Sequence, residues 1–125
     1  RWSKKAQEFL KTAQYSMSEG FLNNAAFQLH QSAESAYQCI LLTHTNYMPK
    51  THNLRFLRSQ AERLVPALIP AWPRVQRRDK SRFELLKRAY VEARYSKHYD
   101  IPREDLEWLG ERVAQLLALI ADEAP

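Results

Sequence analysis

Apolar positions recur along this chain at steps of three and four, the period of an α-helix with one buried face. Ala6, Phe9, Leu10, Ala13 and Met17 form a first stripe. It predicts a helix over residues 3–19, with Ser3 as N-cap and Gly20 ending it. A second, alanine-rich stripe comprises Ala25, Ala26, Leu29, Ala33, Ala36, Ile40 and Leu41. It predicts a helix from residue 21 or 24 to residue 43, whose small side chains permit a close neighbour. Pro49 blocks its continuation. Leu54, Leu57, Ala61, Leu64 and Val65 predict a third helix from Thr51 to about Leu64, with Thr51 as N-cap. The stretch PALIPAWPRVQRRDKSR then reads as an apolar loop followed by a basic segment. Phe83, Leu86, Tyr90 and Ala93 predict a fourth helix over residues 79–95. Pro102, Glu104 and Asp105 suit the opening of a fifth, with Leu106, Leu109, Val113, Leu116, Leu117 and Ile120 as its seam. No strand pattern appears. The expected fold is all-α, an antiparallel up-and-down bundle of four or five helices.

Composition agrees with a single globular domain. The 125 residues are 45% hydrophobic and 26% charged, and only two are glycine. A sheet-rich domain of this size needs more turn glycines. Cys39 is the single cysteine, which excludes a disulfide framework and a thiolate metal cage and fits a cytoplasmic setting. No apolar run reaches membrane-spanning length, so no membrane partner is expected. The chain begins at Arg1 rather than Met, which suggests a domain cut from something longer. The net charge of +5 points to phosphate-bearing partners, although a basic protein need not have one.

Four stretches can carry chemistry. His30, Glu34, Tyr37 and Leu41 share a face of the second helix, with Gln31 beside it. The spacing suits a hydrogen-bonded group at a helix seam; two ligands are too few for a metal. In KTHNL, His52 and Asn53 would fall in the first turn of the third helix. Its free N–H groups, with Lys50, can hold a phosphate, or Thr51 can simply cap. The basic run Arg74, Arg77, Arg78, Lys80 and Arg82, next to Trp72, can grip a phosphate backbone and stack a base, or it can be a solvated helix entry. In YVEARYSKHYD, Arg94 and His98 stand four apart at a helix end. An arginine can hold a phosphate and a histidine can move a proton near neutrality. The same cations also suit a helix C-terminus.

Taken in order, FLNNAAFQLHQSAESAYQCILL, KTHNLRFL and YVEARYSKHY resemble the HEPN domain (higher eukaryotes and prokaryotes nucleotide-binding). The resemblance covers residues 5–122. It rests on a helix bearing histidine, alanine and glutamate, a Thr-His-Xaa-Leu helix start, and a Tyr-Xaa-Xaa-Ala-Arg-Tyr segment. It implies a helical bundle, a homodimer, and association with a minimal nucleotidyltransferase in cis or in trans. This chain would then be the C-terminal part of such a fusion. Many members of this family are metal-independent ribonucleases, some of them toxins of toxin–antitoxin pairs. About four to six residues lie between their arginine and histidine, whereas only Tyr95, Ser96 and Lys97 lie between Arg94 and His98. The Ala-Arg-Tyr form is closer to the nucleotidyltransferase-associated branch. The expectation is therefore a nucleotide- or RNA-binding module without a cofactor or metal. Arg94 would be the phosphate ligand, with His52, His30, Glu34 and Tyr95 around it. The alternatives are a ribonuclease using Arg94 and His98, and a non-catalytic dimerisation bundle.

Overall fold

The computed structural model describes residues 4–123. Ser3, the expected first N-cap, lies outside them. The elements are α1 (Lys4–Ser18), α2 (Leu22–Thr45), α3 (Leu54–Leu64), a 3-10 helix (Pro66–Ala71), α4 (Arg77–Tyr95) and α5 (Arg103–Glu123). The fold is an all-α bundle in which α2 packs against α1, α3, α4 and α5.

Small residues bring α1 and α2 together. Ala6, Ala13, Ala25, Ala26, Ala33 and Ala36 are all buried. Two hydroxyls tie the pair: Ser32 Oγ donates to the Ala6 carbonyl and Ser16 Oγ to Gln28 Oε1, both at 2.8 Å. The turn between them is a Schellman motif. Phe21 N–H bonds to Ser16 O and Gly20 N–H to Met17 O, with Gly20 at φ +82°. α2 runs two residues past the expected end, because Asn46 adopts the left-handed conformation and its N–H returns to Leu42 O.

Several expectations are corrected. The N-cap of α3 is Asn53, whose side chain accepts the Phe56 N–H at 3.1 Å. Thr51 instead accepts the Asn53 N–H at 3.1 Å, shaping the approach to the helix. His52 therefore precedes the helix and is not in its first turn. Leu64, expected inward, is exposed. The apolar loop is a 3-10 turn that sends Leu68, Ala71 and Trp72 into the core. Trp72 Nε1–H donates to Tyr37 Oη at 2.7 Å, and its ring meets Phe83 edge-on at 4.8 Å. It is a core residue and not a platform for a base. Gly110 faces Met17, and a Cβ built there would lie 3.5 Å from Met17 Cε, an ordinary contact.

Candidate functional site

Packing α4 against α2 sets the Tyr90 ring over the His30 face of α2. The chain entering α3 brings His52 to the same place. His52 stacks on Tyr90 with centroids 3.9 Å apart and planes 14° apart. His30 lies 5.4 Å from that ring and Phe27 5.9 Å. Below them His52 Nδ1 bonds to Glu34 Oε1 at 2.9 Å. The Glu34 carboxylate is nearly enclosed, whereas the His52 side chain is 51% exposed. A carboxylate that accepts from Nδ1–H fixes the tautomer and leaves Nε2 as the nitrogen able to bind a ligand or take a proton. Tyr90 locks the ring plane, and Glu34 locks its rotation.

His30 is different. It is fully buried, and Nε2 has no hydrogen-bond partner among the described residues. Its Nδ1 lies 3.3 Å from the Gln31 amide and 3.8 Å from Glu34 Oε1. With Gln31 donating to Nδ1, the neutral ring carries its proton on the orphaned Nε2. Burial lowers its pKa from 6.5 to about 4. The His52 backbone favours the protonated form, but the His52 and Arg94 charges oppose it further. His30 is thus a neutral wall of the site.

Arg94 closes the group. Its guanidinium carbon lies 4.3 Å from the Phe27 ring, 4.9 Å from Tyr90 and 4.8 Å from Tyr95. Nε and Nη2 donate to the Tyr90 carbonyl at 3.1 and 2.8 Å. A guanidinium has five N–H donors, so others remain for a ligand on this exposed surface. Tyr95 is 75% exposed beside it. Aromatic rings on three sides hold the cation in place while leaving its charge accessible.

Arg94, His52, His30 and Glu34 therefore come together, with Tyr95 at the rim. His98 does not join them. α4 ends at Tyr95, and Tyr99 is the residue that turns inward, donating its hydroxyl to Leu85 O at 2.8 Å. Asn23 holds the Tyr99 carbonyl, and Ile101 is buried. This anchoring leaves His98 exposed, with no side-chain partner among the described residues. Phe27 and Tyr90 escaped the sequence reading as site residues. Their signal was present, since Phe27 precedes His30 by three positions and Tyr90 precedes Arg94 by four.

The basic run divides. Arg82 is buried, with Nε 2.6 Å from Asp105 Oδ1 and Nη2 3.3 Å from Glu104. Arg78 leans toward Glu104 at 4.0 Å. Arg74 and Arg58 share the buried Glu62 carboxylate. Arg77 and Lys80 are exposed and make no ion pair among the described residues. Three of the run's five cations are thus ion-paired, and two are open. No group of three or more metal-binding side chains stands together among the described residues. None of their helices is long and apolar enough to cross a membrane.

Comparison with known proteins agrees with this geometry at the level of the family. No significant match appears among curated proteins. The family profile of the HEPN domain matches residues 1–123, nearly the whole chain. With the helical bundle and the ordered motifs on α2, α3 and α4, the chain belongs to the HEPN domain family.

Proposed function

We propose that this chain is a nucleotide- or RNA-binding module that works with a minimal nucleotidyltransferase and holds a ligand phosphate between Arg94 and His52. The observation that carries this reading is the shared Tyr90 platform. His52 stacks on that ring and Arg94 packs against it, so two solvent-accessible side chains of the kinds that bind phosphate, from separate elements, touch one ring. Glu34 orients His52 from below. Tyr95, exposed next to Arg94, offers a face on which a base can stack. The nucleotidyltransferase association rests on the Tyr-Xaa-Xaa-Ala-Arg-Tyr segment at Tyr90–Tyr95. On this reading the chain acts as a homodimer, and the partner domain lies in cis or in trans.

Thermal unfolding with and without nucleotide tests the proposal. A ligand at one hundred times its dissociation constant stabilises the folded state by about 2.7 kcal/mol. Arg94→Ala should remove that shift while leaving the ligand-free melting temperature nearly unchanged. A full shift in the variant would sink the site.

One observation favours a second reading, ribonuclease activity. The Glu34–His52 pair holds an imidazole on the Tyr90 ring that Arg94 also contacts, an arrangement that can take a proton from a 2′-hydroxyl while the arginine holds the phosphate. His98 has no such support. If the chain cuts mixed RNA in the presence of chelator, His52→Ala should abolish cleavage and His98→Ala should spare it. Cleavage lost only in His98→Ala would reverse the assignment.

A further inference from the structure

The two open cations of the basic run and Arg94 lie on one line. Arg77, Lys80, Glu84, Lys87, Val91 and Arg94 follow one another at steps of three and four, so they share a face of α4. Arg77, Lys80, Val91 and Arg94 are exposed; Glu84 and Lys87 are partly so. The line has four cations and a single acid. The acid is already occupied, because Glu84 pairs with Arg55 of α3 and lies 3.8 Å from Lys87. From Arg77 to Arg94 the line is about 26 Å long at ~1.5 Å per helical residue.

A groove accompanies this line. α3 and α4 barely meet backbone to backbone and are bridged by long side chains. His52 reaches Tyr90, Arg55 reaches Glu84, and Arg58 lies 4.5 Å above Phe83. Between them, toward the start of α4, a cleft of about 400 Å³ is lined by Arg55, Arg58, Ser59, Arg74 and Lys80 together with the acids Glu62 and Asp79. Glu62 is again shared by two arginines, so the cleft keeps a positive excess.

We propose that single-stranded RNA runs along this face of α4, from the Arg77–Lys80 end to the Arg94–His52 site. The inference rests on the phosphate-binding reading of that site and deepens it, because the ligand becomes a strand and not a mononucleotide. A line of about 26 Å matches roughly seven nucleotides at the ~3.4 Å rise of a stacked strand. Exposed Val91 and Tyr95 give unpaired bases apolar and aromatic surface at the Arg94 end. A duplex, whose bases are enclosed, cannot use them.

The test is fluorescence anisotropy with a labelled oligoadenylate ladder, from the mononucleotide to about twelve nucleotides. The variants are Arg77→Ser/Lys80→Ser, Arg94→Ala, and a control of equal charge, Lys5→Ser/Lys11→Ser. The control residues are exposed on α1, which packs against α2 and α5. Arg77 and Lys80 have no acid to strand, so the double variant should fold. Wild-type affinity should rise with length and level off near seven nucleotides. Arg77→Ser/Lys80→Ser should leave mononucleotide binding unchanged, weaken the long strand at least about tenfold, and reduce its salt slope by about 1.4, from ~0.7 per phosphate contact. The α1 control should bind nearly as wild type. Affinity independent of length, equal loss in the control, or a duplex that binds as tightly as the strand would overturn the track but leave the Arg94–His52 site standing. Failure to bind mononucleotide and strand alike would overturn both.

Discussion

His30 shows how a single buried residue makes stability depend on pH. In the unfolded chain its imidazole takes up a proton near 6.5; in the fold, burial delays this to about 4. Between these values the unfolded state binds the additional proton. The sign follows: stability is full above about 6.5 and falls as the pH drops toward 4. The loss reaches on the order of 3 kcal/mol, at 1.36 kcal/mol per unit. Thermal unfolding of His30→Gln should therefore show a flatter decline between about pH 7 and pH 4.5 than wild type. An unchanged decline would mean that other groups set the pH dependence. Tyr37 illustrates the cost of a buried polar partner. Tyr37→Phe leaves Trp72 Nε1–H without its acceptor in the core. It should destabilise by about 1–3 kcal/mol in denaturant titrations, although the ring volume is kept.

At the scale of elements, α3 is the shortest of the five α-helices, and its start matters most to the site. Asn53 caps it and Thr51 shapes the approach, and His52 is held between them. Asn53→Ala should cost about 1 kcal/mol and weaken nucleotide binding as well, because the chain that presents His52 loses its anchor. Thr51→Ala should cost less, since it removes a turn bond and not the cap. Equal losses in thermal melts would return the cap to Thr51. α5 offers a change of opposite sign. Gly110 lies in its interior with a helical backbone, and a methyl group there meets Met17 at ordinary contact distance. Gly110→Ala should therefore stabilise the protein by roughly 0.5–1 kcal/mol. At Gly20 the same substitution is strained by the positive φ and should destabilise.

The whole molecule makes the site. Glu34 comes from α2, His52 from the segment before α3, and Tyr90 and Arg94 from α4. The Glu34–His52 bond and the His52–Tyr90 stack each join separate elements. Double-mutant cycles measure this assembly. Glu34→Gln and His52→Ala should be non-additive by at least about 0.5 kcal/mol in nucleotide affinity, because Glu34 acts through His52. Glu34→Gln and Lys80→Ala, at opposite ends of the groove, should add. Additivity in the first pair would separate Glu34 from binding and leave it a structural acid.

Much of this was legible in the sequence. The period of three and four placed the five α-helices to within a few residues, because a helix that buries one face must repeat its apolar positions. The same period put His30 and Glu34 on one face of α2. It also aligned the α4 cations, although their run and Arg94 were read as separate stretches. The resemblance to the HEPN domain rested on ordered local motifs, which sequence preserves.

Tertiary structure decided the rest. In the loop after α4, Tyr99 and Ile101 take the buried positions and leave His98 exposed. Spacing along the chain paired Arg94 with His98; packing places His52, far away in sequence, on the Tyr90 ring that Arg94 also touches. Trp72 and Arg82 belonged by pattern to a basic, exposed stretch, yet the hydrogen bond that Trp72 donates to Tyr37 and the carboxylates of Glu104 and Asp105 beside Arg82 made their burial affordable. Local sequence determines which face a helix buries. Only the fold determines which other element supplies the partner, because that choice is made by contacts between residues distant along the chain.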